Sequence, residues 1–256
     1  MDLYDFKGKT ALITGASSGL GKQFAHSLTK YGARVIVAAR SKNKLEDLAK
    51  ELGNAVAVVM DVGDNESVKR AFKELLSKGE KIDICINNAG IAEMTPIFDD
   101  NQDAADNFAN IIQTNVMGVW YVTKAIANHM KENNIAGSII NIGSVNGANK
   151  LREEVTGYCA SKAAVMQMTK ALVGELAPHN IRINCINPGL HRTPLTQGRI
   201  DNTQFKTEIE QLIPLGFIGE PIELEGAILY LSSNKASHYV TGTVITVDGG
   251  ISWGGS

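Results

Sequence analysis

Seven short apolar runs separated by helical patterns leave this chain little choice of architecture. Thr10–Thr14 (TALIT), Arg34–Ala39 (RVIVAA), Ala55–Met60 (AVAVVM), Ile82–Ile86 (IDICI), Ser138–Ile142 (SIINI), Ile181–Ile186 (IRINCI) and Val244–Val247 (VITV) are rich in Val and Ile and mostly lack polar–apolar alternation. Strands of that kind are covered on both faces, as in a parallel sheet. Between them stand single apolar stripes at helical spacing: Leu20, Phe24, Leu28 and Tyr31; Leu45, Leu48 and Leu52; Val68, Phe72, Leu75 and Leu76. Parallel neighbours need right-handed crossovers, so strand and helix repeated about six times select a doubly wound α/β domain. The expectation is a parallel sheet of about seven strands with helices on both faces, in a single domain spanning 1–256.

Charge and composition exclude several functions. The 25 Lys+Arg against 27 Asp+Glu leave a net charge of −2 with no basic cluster, which argues against a nucleic-acid partner. No apolar run approaches the roughly 18 residues a membrane span needs. The opening MDLYDFKGKT is too polar for a signal core, and Cys85, Cys159 and Cys185 are far apart, odd in number and without metal spacing. A cytoplasmic protein with packing cysteines and no metal fits best. Asn115–Met130 and Tyr158–Ala177 are helical stretches apolar around most of their circumference. Either they are buried within one subunit or they form a symmetric interface; the second reading predicts a homodimer or homotetramer.

In this Rossmann-like order, Thr14-Gly15-Ala16-Ser17-Ser18-Gly19-Leu20-Gly21 joins the first strand to the first helix. Glycines there let a pyrophosphate approach the backbone, and the free N–H groups of the helix start favour its negative charge. The spacing is G-x3-G-x-G, not the usual G-x-G-x-x-G, so the turn alone is a weak signal and gains weight from its flanking strand and helix. Where an NAD site offers a carboxylate, the second strand ends in Ala38-Ala39-Arg40-Ser41. A guanidinium suits a 2′-phosphate, which favours NADP(H), with NAD(H) as the alternative; the plainer reading leaves Arg40 solvated. Asp61, in Met60-Asp61-Val62, either accepts from an adenine amino group or caps the next turn.

Tyr158 and Lys162 stand four residues apart in Tyr-Cys-Ala-Ser-Lys and share one helix face. An ammonium beside a phenol stabilises the phenolate and brings its pKa toward the range useful for proton transfer. Ser144 follows the strand Ser138–Ile142, at the carboxyl end where parallel sheets bind ligands.

Taken together, Thr14–Gly21, Asn87-Asn88-Ala89-Gly90, Asn115, Ser144, Tyr158-x3-Lys162, Pro188-Gly189 and Val247-Asp248-Gly249-Gly250 resemble the short-chain dehydrogenase/reductase family across essentially the whole chain. The resemblance implies that Tyr158 is the general acid and that Ser144 holds the carbonyl oxygen. It implies that Lys162 binds the nicotinamide ribose and lowers the Tyr158 pKa, and that Asn115 fixes a water in a proton relay. It places the coenzyme along Gly15, Ser17, Ser18, Gly19, Leu20, Gly21, Arg40, Asp61, Val62, Asn88, Ala89, Gly90, Tyr158, Lys162, Pro188, Gly189, His191 and Thr193. Asn87 is expected either to support the site or to tie strands together. His191 stands where the family has an apolar residue, so its ring could face substrate or solvent. Cys159 replaces a commoner serine or alanine and is expected only to pack. Ser18 stands where NADP-preferring relatives often carry a cation, leaving coenzyme choice to Arg40.

The segment Leu190–Gly216 is polar and weakly periodic, the character of a substrate lid at about 190–216. Its Arg192, Arg199 and Lys206 mixed with Leu195, Ile200 and Phe205 suit an anionic or carrier-linked ketone about as well as a neutral polar one. The pattern resembles 3-oxoacyl-carrier-protein reductases and the sugar-acid and carbonyl reductases of the same family. The expected activity is ketone reduction or its reverse by hydride transfer, on a small-molecule or carrier-linked carbonyl. A sugar-acid or polyol dehydrogenase of the gluconate 5-dehydrogenase kind is the alternative. A regulator that binds a dinucleotide without catalysis is disfavoured by the intact Asn115, Ser144, Tyr158 and Lys162.

Overall fold

The computed structural model describes residues 3–98 and 103–253; Met1 and Asp2, the start of the stretch read above as unlike a signal core, lie outside these. Seven strands form one parallel sheet: β1 Thr10–Thr14, β2 Arg34–Ala39, β3 Ala55–Val59, β4 Ile84–Asn87, β5 Ser138–Ile142, β6 Arg182–Pro188 and β7 Val244–Val247. Their order is β3-β2-β1-β4-β5-β6-β7, so the winding reverses between β1 and β4. Ligands bind at the carboxyl ends beside such a reversal.

The missing alternation has its reason in the packing. Ala11, Ile13, Val35, Val37, Ile84 and Ile86 face one apolar layer, closed by α1 (Gly19–Lys30), α2 (Lys42–Leu52) and, near the chain's end, Glu225–Ser232. Leu12, Ile36, Cys85 and Ile139 face the other, closed by α3 (Asn65–Ser77) and by Val122, Ile126 and Met130 further along. Successive residues of the central strands therefore meet apolar neighbours, whichever way they point. Leu76 was expected on the α3 stripe but is exposed, because Val68, Phe72 and Leu75 already complete the buried face.

Several boundaries differ from the sequence expectation. β3 stops at Val59, not Met60. β4 runs Ile84–Asn87, not Ile82–Ile86, and β6 runs Arg182–Pro188, not Ile181–Ile186. In the last two the ladder slides toward the carboxyl end, where Asn87 and Asn187–Pro188 pair with β5 and β7 despite their polarity or lack of an N–H. The stretch Asn115–Met130 is not one α-helix. Following α4 (Asp103–Ile112), a π-helical turn at Gln113–Met117 leads into α5 (Gly118–Glu132). Tyr158–Ala177 is divided into α6 (Thr156–Ala171) and α7 (Val173–Leu176), followed by a short 3-10 turn. The segment 190–216 holds two helices, α8 (Gln197–Ile200) and α9 (Thr203–Leu212). Ile200 does not face a substrate there: with Val145, Ile213, Ile218 and Ile251 it forms the small apolar cluster that pins the segment down. Glu225–Ser232 is α10. Among the described residues, no helix is long and apolar enough to cross a membrane.

Candidate active site

The glycine turn is tied to the neighbouring strand from behind. The Asn88 carboxamide donates to Thr14 O at 3.0 Å and Gly15 O at 3.2 Å, while Thr14 Oγ1 accepts from the N–H groups of Asn88 and Ala89. Gly15 has φ +67°, and a Cβ there would lie 2.8 Å from Ala89 Cα, so conformation and space both demand glycine. At the start of α1, Ser18 makes no side-chain cap and the first turn holds no acidic residue. Its orphan N–H groups therefore face a cleft of about 520 Å³ without a protein anion to satisfy them.

That cleft gathers most of the expected coenzyme positions. Gly15 and Ser17 to Leu20 line it with Arg40, Asp61, Val62, Asn88, Ala89, Gly90, Tyr158, Lys162, Pro188, Gly189, His191 and Thr193, and with Ser144 of the catalytic set. Two expected residues are not on its wall. Gly21 is buried behind the turn against Asn88 and Gly15, and Asn115 is fully buried. Asp61 does cap the following turn, accepting from Gly63 N–H at 3.0 Å, and still lines the cleft. Arg40 is exposed and forms no ion pair among the described residues; beside it Ser41 starts α2 with its hydroxyl uncommitted to a cap.

The reacting end lies at the carboxyl end of β5. Ser144 is buried, and its hydroxyl accepts from Asn146 N–H at 3.1 Å, which leaves its own hydrogen free to donate. The turn carrying Ser144 is held to α6 at Gly147, where a Cβ would lie 2.5 Å from Ala163 N. This contact fixes Ser144 against the helix that bears Tyr158 and Lys162. Lys162 donates from Nζ to Ile142 O at 2.8 Å and sits 5.7 Å from the centre of the Tyr158 ring.

The expected electrostatics need correction. Burial raises the Tyr158 pKa above its ordinary value, and the group that pulls it down is Ser144, not Lys162. Burial also lowers Lys162 to about 8. Both partners are pushed toward their neutral forms because desolvation penalises either charge.

Asn115 works through its neighbours. Its carboxamide accepts from Ile91 N–H at 2.9 Å and donates to Ile91 O at 2.9 Å and Ser161 Oγ at 3.0 Å. Ser161 in turn donates to Tyr158 O at 2.8 Å. The side chain that was expected to hold a water is thus committed to tying the 90s loop to the Tyr158 helix, at a π-turn of the kind that frequently marks functional sites. Asn87 has the structural role: it donates to Thr123 Oγ1 at 2.9 Å and Asn141 Oδ1 at 2.8 Å, and Asn141 donates to Thr169 at 2.9 Å. This satisfied polar chain locks β4, β5, α5 and α6 together. His191 is buried at the cleft wall. Its ring is buried against Gly219 with Nδ1 3.1 Å from Gly189 O, and burial lowers its pKa. Cys85 and Cys185 are buried thiols pushed up to about 12.

A second cavity of about 500 Å³ shares Ser144, Tyr158, Gly189, Leu195 and Thr196 with the first. Of the three basic residues singled out between 190 and 216, only Arg199 lines it. Arg192 is held by Glu220 at 2.9 Å and Glu210 at 3.7 Å. Sequence reasoning missed Met94, Lys150, Leu151 and Arg152 on its wall, which come from loops that no motif marks.

Known proteins are similar over almost the whole chain. The profile of the family described as enoyl-(acyl carrier protein) reductase matches residues 15–252. A 3-oxoacyl-(acyl-carrier-protein) reductase of Thermotoga maritima is 38% identical over 96% of this chain and 98% of its own. A solved short-chain type dehydrogenase/reductase from Mycobacterium marinum is 40% identical, with a TM-score of 0.90 over 98% of each chain. A gluconate 5-dehydrogenase from Burkholderia cenocepacia, solved with NADP and tartrate, is 32% identical, with a TM-score of 0.92 over 99% of each chain.

Proposed function

The chain belongs to the short-chain dehydrogenase/reductase family, and we propose that it is an NADP(H)-preferring enzyme that reduces a ketone to a secondary alcohol, or runs the reverse, with Tyr158 as general acid. It is an oxidoreductase acting on keto or CH–OH groups. One observation carries the reading of the site: two cavities, each of a size to hold a small molecule, meet at Ser144 and Tyr158.

The residues of the first cavity fit a dinucleotide. The uncapped start of α1 offers N–H groups to a pyrophosphate, and Arg40 with Ser41 offers a cation and a hydroxyl where a 2′-phosphate would lie. Bound there, a reduced nicotinamide supplies the hydride that a carbonyl carbon accepts. Ser144 holds the carbonyl oxygen by its hydrogen, and Tyr158 gives that oxygen a proton. A phenol whose pKa is raised keeps its proton through neutral pH, which suits the donor in reduction. Lys162 places a cation between the Ile142 carbonyl and the cleft, within reach of a ribose. Asn115 positions the Tyr158 helix through Ser161.

Coenzyme choice has a direct test. Purified protein is assayed for coenzyme consumption with a panel of 3-oxoacyl thioesters, oxo sugar acids and diketones, using NADPH and NADH in parallel. At least one ketone is expected to be reduced, faster with NADPH. Arg40→Ala should weaken NADPH binding by about 10- to 100-fold, the size of a charge-assisted pair, with a much smaller change for NADH. An unchanged preference refutes the role of Arg40.

A sugar-acid or polyol dehydrogenase is the second reading, favoured by the likeness to a gluconate 5-dehydrogenase solved with tartrate. The assembled Ser144, Tyr158 and Lys162 weigh against a regulator without catalysis. For assembly, the apolar Trp120 on α5 and Ala160 and Ala163 on α6 are exposed, which supports a homodimer or homotetramer built on these helices. Light scattering at micromolar concentration should give a dimer or tetramer mass; a monomer overturns this. Three free cysteines, two of them buried, fit a reducing cytoplasm. The segment 190–216, lying over both cavities with Leu195 and Thr196, is the proposed lid.

A further inference from the structure

The second cavity carries charge that proton transfer to a ketone does not use. Lys150, Arg152 and Arg199 line it, with Glu93 the only carboxylate on its wall among the described residues. Among the described residues none of these four forms an ion pair, whereas the nearby Arg192 is held by two glutamates. Arg199 is half-buried, its guanidinium carbon 4.5 Å from the centre of the Phe205 ring. Burial and the positive charge of Arg152 both lower its pKa. Arg152 is exposed at the rim and Arg199 half-buried beside it, so their like charges stand together where an anion reaching from solvent would relieve both the repulsion and the desolvation of Arg199. A planar fork stacked on an aromatic ring is preorganised to grip a carboxylate or phosphate. The rest of the wall is largely apolar, with Met94, Val145, Leu151, Leu195, Phe205 and Ile209 outnumbering the polar Asn146 and Thr196.

We infer that the substrate is an amphipathic oxo acid: its ketone lies at Ser144 and Tyr158, its carbon chain rests on this apolar wall, and its anionic group, a carboxylate or phosphate, is bound by Arg152 and Arg199. This rests on the ketone-reductase reading and narrows it. Neither arginine lines the coenzyme cleft, so the two functions separate experimentally.

The test uses straight-chain oxo acids that differ in the distance from ketone to carboxylate, each beside its methyl ester and its phosphate counterpart, with NADPH as reductant. At the best distance, kcat/KM for the acid or the phosphate should exceed that for the ester by at least about tenfold, mainly through KM. Comparing acid with phosphate identifies which anion the site takes. Arg152→Gln and Arg199→Gln should each bring the acid-to-ester ratio toward one, and Arg199→Lys should keep part of it. NADPH affinity, measured by calorimetry without ketone, should stay within about twofold and shows that each variant is folded. Esters reduced as well as acids, or a polyhydroxylated acid preferred over every straight-chain one, overturns the inference and leaves the reductase reading standing. No turnover of any ketone overturns that reading and the inference with it.

Discussion

Tyr158→Phe is expected to lower kcat for every accepted ketone by about 10²- to 10⁴-fold while NADPH still binds. The substitution removes one oxygen and keeps the ring, so the packing of α6 and the contact with Lys162 persist. What disappears is the phenol, the strongest neutral acid among the described residues that line both cavities. Ser144 also lines both, but an alcohol is too weak an acid to replace the phenol, and its oxygen is already occupied by Asn146 N–H. Lys162 is committed to Ile142 O and does not line the second cavity. Removing one hydroxyl at a cavity wall should cost about 1 kcal/mol of stability or less, far less than unfolding requires. Single-turnover reduction with coenzyme affinity measured in parallel separates the two effects; equal rates in wild type and variant refute the assignment. Because burial raises this phenol's pKa, the wild-type rate of reduction should hold through neutral pH and decline only above the ordinary tyrosine range near 10.

The residues that could be read directly from the chain are those whose role follows from local pattern. Val35, Ile36 and Val37 are all apolar because successive residues enter opposite layers, so the parallel sheet was legible without knowing its neighbours. The glycine turn and the four-residue spacing of Tyr158 and Lys162 are local in the same sense. Features created by packing were not legible. The π-turn at Gln113–Met117 carries Asn115, whose partners Ile91 and Ser161 lie far away in sequence. His191 looked available, yet the close approach of Gly219 buries it. Arg192 and Arg199 are equivalent by composition, and only the fold gives glutamates to the first and leaves the second facing a cavity. The expected acidification of Tyr158 failed for a related reason. Spacing along a helix sets which groups meet, but burial sets the cost of charge at each.

Burial of Lys162 leads to the second large expectation: Lys162→Met should abolish most turnover and make the coenzyme-free protein more stable at neutral pH. Burial holds the lysine at a pKa of about 8, below its ordinary 10.5, so keeping it charged in the folded state costs on the order of 3 kcal/mol. Methionine fills similar volume without charge and forfeits the hydrogen bond to Ile142 O, an offset of about 1–2 kcal/mol. The net gain should be roughly 1–2 kcal/mol, or about 2–8 °C in Tm for a domain of this size. The sign with pH is fixed by linkage. Between about 8 and 10.5 the folded lysine has lost its proton and the unfolded one has not, so the unfolded state binds more protons and wild-type stability rises with pH. Methionine does not titrate, so the gap between variant and wild type isolates this group and should close as pH rises through that window. Thermal unfolding of both proteins at a series of pH values measures it. A variant less stable than wild type at neutral pH, or a gap that widens as pH rises, would mean that the ammonium stabilises the fold. If the gap closes, the lysine is retained against the interest of stability, as expected of a residue kept for its charge beside a reacting phenol.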